Sequence, residues 1–128
     1  MNPLVRALSL VLLIMAPVAL PVAFLSAADA ERGKAVFEKC AACHALDAGT
    51  KTDGPILQGV FGRKAGSRDD YRYSSAMARS GVVWQAPTLD AYITDPQGYI
   101  KGNRMSFAGI TDKAERDDLI AYLELATR

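Results

Sequence analysis

The sequence predicts an all-α fold, one small domain of three main helices joined by long loops. Apolar residues recur at helical spacing in three segments, and the connections between them are dense in Gly, Pro, Asp and Ser. A third observation is a short run that holds both cysteines and the single histidine of the 128 residues. Loops this long usually argue against a compact domain. The fold therefore needs a further source of stability.

The helical segments differ in how clearly their ends are marked. They cover residues 31–43, 88–95 and 112–126. The apolar face of the first consists of Gly33, Val36, Phe37 and Cys40. Thr88 can cap the second, and Pro96 ends it. The third opens with Asp112 and Glu115 at the spacing of a capping box. Its apolar stripe consists of Leu119, Ile120, Tyr122 and Leu123.

The run Cys40-Ala41-Ala42-Cys43-His44 has the spacing of covalent c-type haem attachment. Two cysteines three positions apart lie on one side of a helical turn, where their thiols can add to the two vinyl groups of haem. The next residue, His44, then faces the iron. The run predicts one covalent haem c, attached at Cys40 and Cys43. A flat apolar ring wrapped by loops would stabilise a domain this small.

Other uses of a Cys-x-x-Cys pair fit the sequence less well. A thioredoxin-like redox pair needs a βαβ context, whereas this run follows a helical stretch. A structural zinc site needs four ligands, and the chain offers three Cys or His side chains. A chance occurrence of the spacing is the remaining alternative.

The N-terminus has the pattern of an export signal. Arg6 supplies a positive charge, and residues 7–25 contain no charged side chain. Residues 28–30 read Ala-Asp-Ala, which fits the A-x-A rule for cleavage. The sequence therefore predicts an exported, periplasmic protein whose mature chain begins near Glu31.

This pattern divides the chain into two parts. We expect a signal peptide at residues 1–30 and one domain at residues 31–128. A retained anchor in the inner membrane is the alternative, because residues 7–25 are just long enough to span a bilayer. Pro17 and Pro21 interrupt that stretch, although membrane helices tolerate proline.

Further landmarks follow the haem run in order along the domain. They are Gly54-Pro55-x-Leu57, Gly62-Arg63-Lys64-x-Gly66, Tyr71-x-Tyr73-Ser74, Trp84, Thr88-Leu89-x-x-Tyr92, Asp95-Pro96, Gly102-Asn103-Arg104-Met105-x-Phe107-x-Gly109-Ile110 and Arg116-x-Asp118-Leu119-Ile120-Ala121-Tyr122-Leu123. From Gly33 to the C-terminus the chain resembles a class I c-type cytochrome of the mitochondrial and bacterial periplasmic kind. The resemblance implies the small cytochrome c fold, with long loops wrapped around one haem.

A second iron ligand has to be a different residue type, because the chain contains no other histidine. The candidates are a methionine thioether, a lysine amine and a terminal amine. Met77 lies in a stretch that could form a short helix with a buried methionine. Met105 lies in a glycine-flanked loop and belongs to the apolar stripe of no predicted helix. This placement and the family pattern both favour Met105.

The resemblance also implies roles for other residues. The carbonyl of Pro55 would accept the Nδ1 proton of His44 and orient the ring. Tyr92 would reach the sulfur of Met105, and Phe107 would cover the haem edge. The residues that would bind a haem propionate are Arg63, Tyr73, Ser74, Trp84 and Asn103. Ordinary core packing is the alternative for each aromatic residue.

The ligand pair indicates the function. With His44 and Met105 both bound, oxygen and peroxide would find no open axial site, and a thioether would favour ferrous iron and raise the potential. We expect a one-electron carrier rather than an enzyme, shuttling electrons between respiratory or photosynthetic complexes. The alternative is a haem peroxidase or a gas-sensing haem protein with a displaceable axial ligand. No second histidine is present to act as a distal acid or base.

The charge balance limits the partners. The chain has 15 Lys and Arg residues against 14 Asp and Glu residues, a net charge of +1. We expect no nucleic-acid partner, a monomer, and membrane contact only if the leader is retained. The resemblance implies a quinol–cytochrome c reductase or a dehydrogenase as donor, and an oxidase or a photosynthetic reaction centre as acceptor.

The haem edge departs from the eukaryotic pattern. Basic residues that could surround it are Lys39, Lys101, Arg104 and Lys113. Gln97 and Gly98 stand where the eukaryotic proteins carry lysines, and Lys101 replaces a proline. We therefore expect the protein to bind its redox partners weakly through a small local patch. Their association should depend only slightly on salt concentration.

Overall fold

The computed structural model describes residues 28–128, so the predicted leader lies almost entirely outside the described part of the chain. This part forms five helices. They are α1 (Ala30–Ala41), α2 (Ser75–Arg79), α3 (Ala86–Thr94), α4 (Pro96–Tyr99) and α5 (Lys113–Ala126). Residues 28–128 contain no β-strand beyond one isolated antiparallel bridge between Lys64 and Val83. The predicted all-α class is confirmed. Between residues 28 and 128, none of the helices has the length and apolar character needed to cross a bilayer.

Helices α1 and α5 cross in direct contact. A Cβ added at Gly33 of α1 would overlap the backbone carbonyl oxygen of Asp118 in α5. The rings of Phe37 and Tyr122 pack beside this point, with their centroids 5.6 Å apart. Because only glycine allows such a close approach, Gly33 sets the distance between the two helices.

A hydrogen-bonded network ties the N-terminal end of α1 to α5. Asp29 caps α1 by accepting the backbone N–H groups of Glu31 and Arg32. The buried carboxylate of Asp118 accepts the Arg32 Nε–H at 2.7 Å and the Asp29 backbone N–H at 2.6 Å. These hydrogen bonds, chiefly the one from Arg32, hold the pKa of Asp118 below its usual value. The start of α1 is therefore fixed by both a cap and an ion pair.

Helix α3 begins before the predicted start. Its first residue is Ala86 and its N-cap is Gln85, so the prediction of Thr88 as the cap is wrong. Thr88 lies in the first turn instead, where its hydroxyl oxygen accepts the Gln85 backbone N–H at 2.8 Å. The early start is possible because Pro87, which lacks an N–H, occupies the first turn, where backbone N–H groups have no helical partner.

Pro96 does more than end α3. It is the first residue of the short helix α4, which Asp95 caps by accepting the Gly98 backbone N–H at 2.9 Å. The sequence pattern missed α4 because a proline at a helix boundary was interpreted only as a stop signal. This single turn positions the loop of residues 100–109, called the Met105 loop below.

Helix α5 follows the prediction closely. Asp112 caps it and accepts the Glu115 backbone N–H at 2.9 Å, as the capping spacing predicts. The predicted stripe is buried at three positions and partly buried at the fourth. The buried residues are Leu119, Ile120 and Leu123, and the partly buried one is Tyr122.

Arg116 connects α5 to α3 and to the end of the preceding loop. Its guanidinium pairs with Asp90 at 2.7 Å and donates to the carbonyl oxygens of Ile110 and Thr111, each at 2.9 Å. The Arg116 side chain is only 8% exposed. The chain leaving the Met105 loop is thus held beside both helices.

Candidate haem-binding site

One cleft of about 400 Å³ is lined by residues from α1, α2, α3, α5 and the long loops. Protein sites for organic ligands are of this size and are mostly apolar. The predicted site residues that line it are Cys40, Cys43, His44, Pro55, Arg63, Tyr73, Ser74, Trp84, Tyr92, Met105 and Phe107. Asn103 is the predicted site residue that does not line the cleft.

The attachment run lies where α1 ends. The backbone N–H groups of Cys43 and His44 both donate to the carbonyl oxygen of Cys40, at 3.0 and 2.9 Å, so the helical turn continues through the run. Cys40 is partly buried and Cys43 is exposed, and both thiols are free. Burial raises the pKa of Cys40 to about 11, so this side chain is a neutral thiol at neutral pH.

The ring of His44 is held by backbone groups. Its Nδ1 lies 2.7 Å from the carbonyl oxygen of Pro55, which can only accept a hydrogen bond, so Nδ1 carries the proton. A Cβ added at Gly54 would stand 2.8 Å from Cε1 of His44, so the ring packs directly against that backbone. Burial lowers the pKa of His44 and favours the neutral ring. The lone pair of Nε2 is left for a metal.

Side chains, by contrast, hold Met105. The hydroxyl of Tyr92 lies 3.5 Å from the sulfur of Met105 and 3.3 Å from Oδ1 of Asn103, with one proton to share between them. Oδ1 of Asn103 also accepts the Met105 backbone N–H at 2.8 Å. Burial raises the pKa of Tyr92 to about 12, so its hydroxyl remains a donor at neutral pH.

Asn103 uses its whole hydrogen-bonding capacity within the protein. Its Nδ2 donates to the carbonyl oxygens of Pro96 and Ile100 at 2.7 and 2.8 Å, while Oδ1 accepts from Met105 and Tyr92. Two donors and two lone pairs are all that an asparagine side chain has. These contacts give Asn103 a structural role in the Met105 loop and leave no side-chain donor for a propionate.

The remaining predicted propionate residues form a polar part of the wall. Arg63 donates to the carbonyl oxygens of Gln58 and Ile56 at 2.7 and 3.1 Å, and burial lowers its pKa. Burial also raises the pKa of Tyr73, so this wall offers a cation and a neutral phenol. The indole N–H of Trp84 has no hydrogen-bond partner within residues 28–128. Such a set of groups suits an apolar ligand with acidic substituents.

Several cleft residues were not predicted from the sequence. They are Leu57, Val60, Tyr71, Met77, Leu89, Ile93, Leu119 and Leu123. Met77 is buried in the short helix α2, as its context suggested, but it also lines the cleft. Leu119 and Leu123 belong to the α5 stripe, which indicated core packing without showing that part of the core would face a ligand. The periodicity of the stripe was the available signal.

A thiol pair and an imidazole at the end of one helix, beside an apolar cleft with polar groups on one wall, define a c-type haem domain. The Cytochrome c family model matches residues 30–126. Cytochrome c2 iso-2 of Magnetospirillum fulvum is 47% identical over 88 residues, which are 69% of this chain and 92% of that relative. Cytochrome c2 of Rhodoplanes tepidamans is 47% identical over 96 residues, 74% of this chain and 90% of the relative. Cytochrome c of Euglena viridis is 42% identical over 97 residues, which are 75% of this chain and 95% of that relative.

The chain belongs to the cytochrome c family. It is an electron carrier with one covalent haem c, as the sequence predicts, and its two cysteines fit the attachment motif of the family. When bound, the haem supplies an iron that gains and loses one electron. The residues present fit that group, since the cleft combines apolar walls, the thiols of Cys40 and Cys43, and the indole N–H of Trp84, which has no hydrogen-bond partner in the described part of the chain.

Proposed function

We propose that His44 and Met105 would bind the haem iron and that Cys40 and Cys43 would form the thioether bonds to the haem. The main support is that both ligand side chains line the same cleft as the two thiols. The hydrogen bond to Pro55 leaves Nε2 of His44 available, and the one from Tyr92 orients the sulfur of Met105. We assign Arg63, Tyr73, Ser74 and Trp84 to the propionate side of the haem, and Phe107 to its edge.

This ligand pair supports a carrier that is not an enzyme. A neutral thioether stabilises ferrous iron, and two protein ligands exclude oxygen and peroxide from the iron. The protein's residues then act by holding the group, orienting both ligands and excluding water. Little has to move when one electron arrives or leaves.

Met105→Ala tests the ligand assignment directly. The ferric wild-type protein should be low-spin with a weak far-red sulfur-to-iron band, whereas the variant should lose the band, bind carbon monoxide when reduced and have a lower potential. Met77→Ala is the matched control, because Met77 lines the same cleft and should leave the band unchanged. A wild-type protein that is high-spin and binds carbon monoxide at once would instead support a peroxidase or a gas sensor.

For its partners, we infer a respiratory or photosynthetic donor and acceptor reached through a weak patch. Lys39 is paired with Glu115 at 2.7 Å, and Lys113 with Asp117 at 2.6 Å, so two of the four expected basic residues are partly neutralised. The net charge of +1 adds little long-range steering. The rate at which membranes of the host oxidise the reduced protein should fall less than about tenfold between low and physiological salt. A fall of several orders of magnitude would contradict this patch.

We also infer that the apolar leader directs export to the periplasm and is then removed near residue 30. Its single positive charge, uncharged run and small residues support this assignment. The intact mass of the protein isolated from its host should lack about 30 residues and include one haem. A mass that retains the leader would indicate a membrane-anchored carrier.

A further inference from the structure

Gln97 lies on the outer side of the Met105 loop. It is the second residue of α4, a turn fixed by the Asp95 cap and by the buried ring of Pro96. Its side chain is exposed, yet Nε2 lies 3.1 Å from the carbonyl oxygen of Asn103 and 3.4 Å from that of Met105. Both neighbours only accept hydrogen bonds, so the amide N–H groups have to face them.

The Met105 loop is consequently held from two directions. On the inner side, Asn103 binds two carbonyl oxygens of the chain before it and the backbone N–H of Met105. On the outer side, Gln97 joins α4 to the backbone carbonyl oxygens of Asn103 and Met105. If Met105 moved away from the cleft together with its backbone, the outer hydrogen bonds would break first, because they are the longer and more exposed ones.

We propose that Gln97 is a positioning residue that keeps Met105 in place and sets how easily an external ligand displaces it. The proposal rests on the ligation by His44 and Met105 proposed above. Long, partly exposed hydrogen bonds each contribute little net stability, so the loss of both should change the displacement equilibrium by about five- to tenfold.

Imidazole added to the ferric protein measures that equilibrium, because it replaces the sulfur ligand and removes the far-red band. Gln97→Met keeps the length of the side chain but has no N–H group, and it should bind imidazole about five- to tenfold more tightly than wild type. Gln97→Lys restores a donor and should return the affinity toward the wild-type value. Gln58→Met is the matched control. It removes an exposed glutamine that accepts the Ala48 N–H at 3.2 Å outside the Met105 loop, and should shift the affinity less than about twofold.

The outcomes separate this proposal from the ligation on which it rests. If wild type shows the far-red band and Gln97→Met binds imidazole as wild type does, the positioning role is wrong and the ligation stands. Equal shifts in Gln97→Met and Gln58→Met would also overturn it, since both would then reflect general destabilisation. A wild-type protein without the band would overturn the ligation and the positioning role together.

The start of the domain carries a second, independent proposal. The backbone N–H of Asp29 donates to Asp118 at 2.6 Å, its carbonyl oxygen accepts from Gly33 at 2.9 Å, and its side chain caps α1. A cut after Ala30 would remove all these contacts. Residues 26–28 read Ser-Ala-Ala, which places small residues at the positions that cleavage requires and permits a cut after Ala28.

We propose that the exported protein begins at Asp29, provided that the leader is removed as proposed above. The new α-amino group would then donate to the Asp118 carboxylate as a cation, which strengthens that hydrogen bond. The intact mass of the holoprotein from its host should equal residues 29–128 plus one haem. A mass smaller by one Asp and one Ala residue would overturn the Asp29 start alone, and a mass that includes the leader would overturn both the start and the removal.

Discussion

His44 and Met105 lie in the same cleft but are held by different kinds of groups. His44 is held by backbone atoms, namely the carbonyl of Pro55 and the chain at Gly54. Met105 is held by the side chains of Asn103, Tyr92 and Gln97. The difference follows from their positions along the chain. His44 directly follows Cys43, whereas Met105 lies far from both cysteines in the sequence. Single side-chain substitutions should therefore weaken the hold on Met105 by small steps. They should disturb His44 only where they move the backbone.

The largest effect is expected for Gly54→Val. Its added methyl groups would overlap the carbonyl of Cys43 and the ring of His44, since even a Cβ comes within 2.8 Å of both. We expect a loss of about 3 kcal/mol or more in the free energy of unfolding, with partial loss of the low-spin spectrum. Denaturant unfolding of the ferric holoprotein measures the free energy of unfolding, and its absorption spectrum shows the loss of the low-spin form. Gly54→Ala should be less damaging, and a Gly54→Val protein with both properties unchanged would refute the backbone contact.

Asn103→Ala should have the next largest effect. It leaves the backbone N–H of Met105 without its acceptor, and it removes the side-chain donor from the carbonyl oxygens of Pro96 and Ile100, which keep only a backbone N–H partner. We expect the free energy of unfolding to fall by about 2–3 kcal/mol and the far-red band to weaken. Denaturant unfolding and the ferric spectrum provide the measurements, with Gln58→Ala as a surface control expected to cost about 0.5 kcal/mol or less. An intact band with full stability would mean that Asn103 does not hold the loop.

Tyr92→Phe should have a moderate effect that is specific to the methionine side. It removes the hydroxyl shared by Met105 and Asn103, at a cost of about 1 kcal/mol in the free energy of unfolding. If Met105 binds the iron as proposed, a hydrogen bond to its sulfur withdraws electron density from that ligand. Loss of the bond should then lower the midpoint potential, which voltammetry measures. Tyr99→Phe is the matched control, because the Tyr99 ring packs against Tyr92 with centroids 6.3 Å apart and is 40% exposed. Equal potentials for Tyr92→Phe and wild type would contradict the role of the hydroxyl.

Pro55→Ala should have the smallest effect. Alanine retains the backbone carbonyl that accepts the His44 proton, and the main loss is the rigidity of proline, worth about 0.5–1 kcal/mol in the free energy of unfolding. The low-spin spectrum should be unchanged, which absorption of the ferric protein checks. Damage as severe as that of Gly54→Val would show that the proline ring, rather than its carbonyl, positions His44.

The sequence predicted the elements whose signals are local. The cap at Asp112, the α5 stripe and the attachment run all follow from spacing along the chain. The start of α3 and the existence of α4 were missed, because a proline can both end one helix and begin another. The role of Asn103 also required the structure. Its four hydrogen bonds reach α3, α4 and the Met105 loop itself, and no sequence spacing shows whether an asparagine faces a cleft or a loop.

Helix α5 presents one face to α1 and another to the cleft. Asp118 and Tyr122 contact α1, while Leu119 and Leu123 line the cleft. A shared wall of this kind couples two regions during folding, because neither can open without exposing the other. We therefore expect the crossing and the cleft to unfold in one cooperative transition. A substitution at Gly33, whose nearest neighbours Asp118 and Tyr122 do not line the cleft, should still increase the access of water to the redox centre.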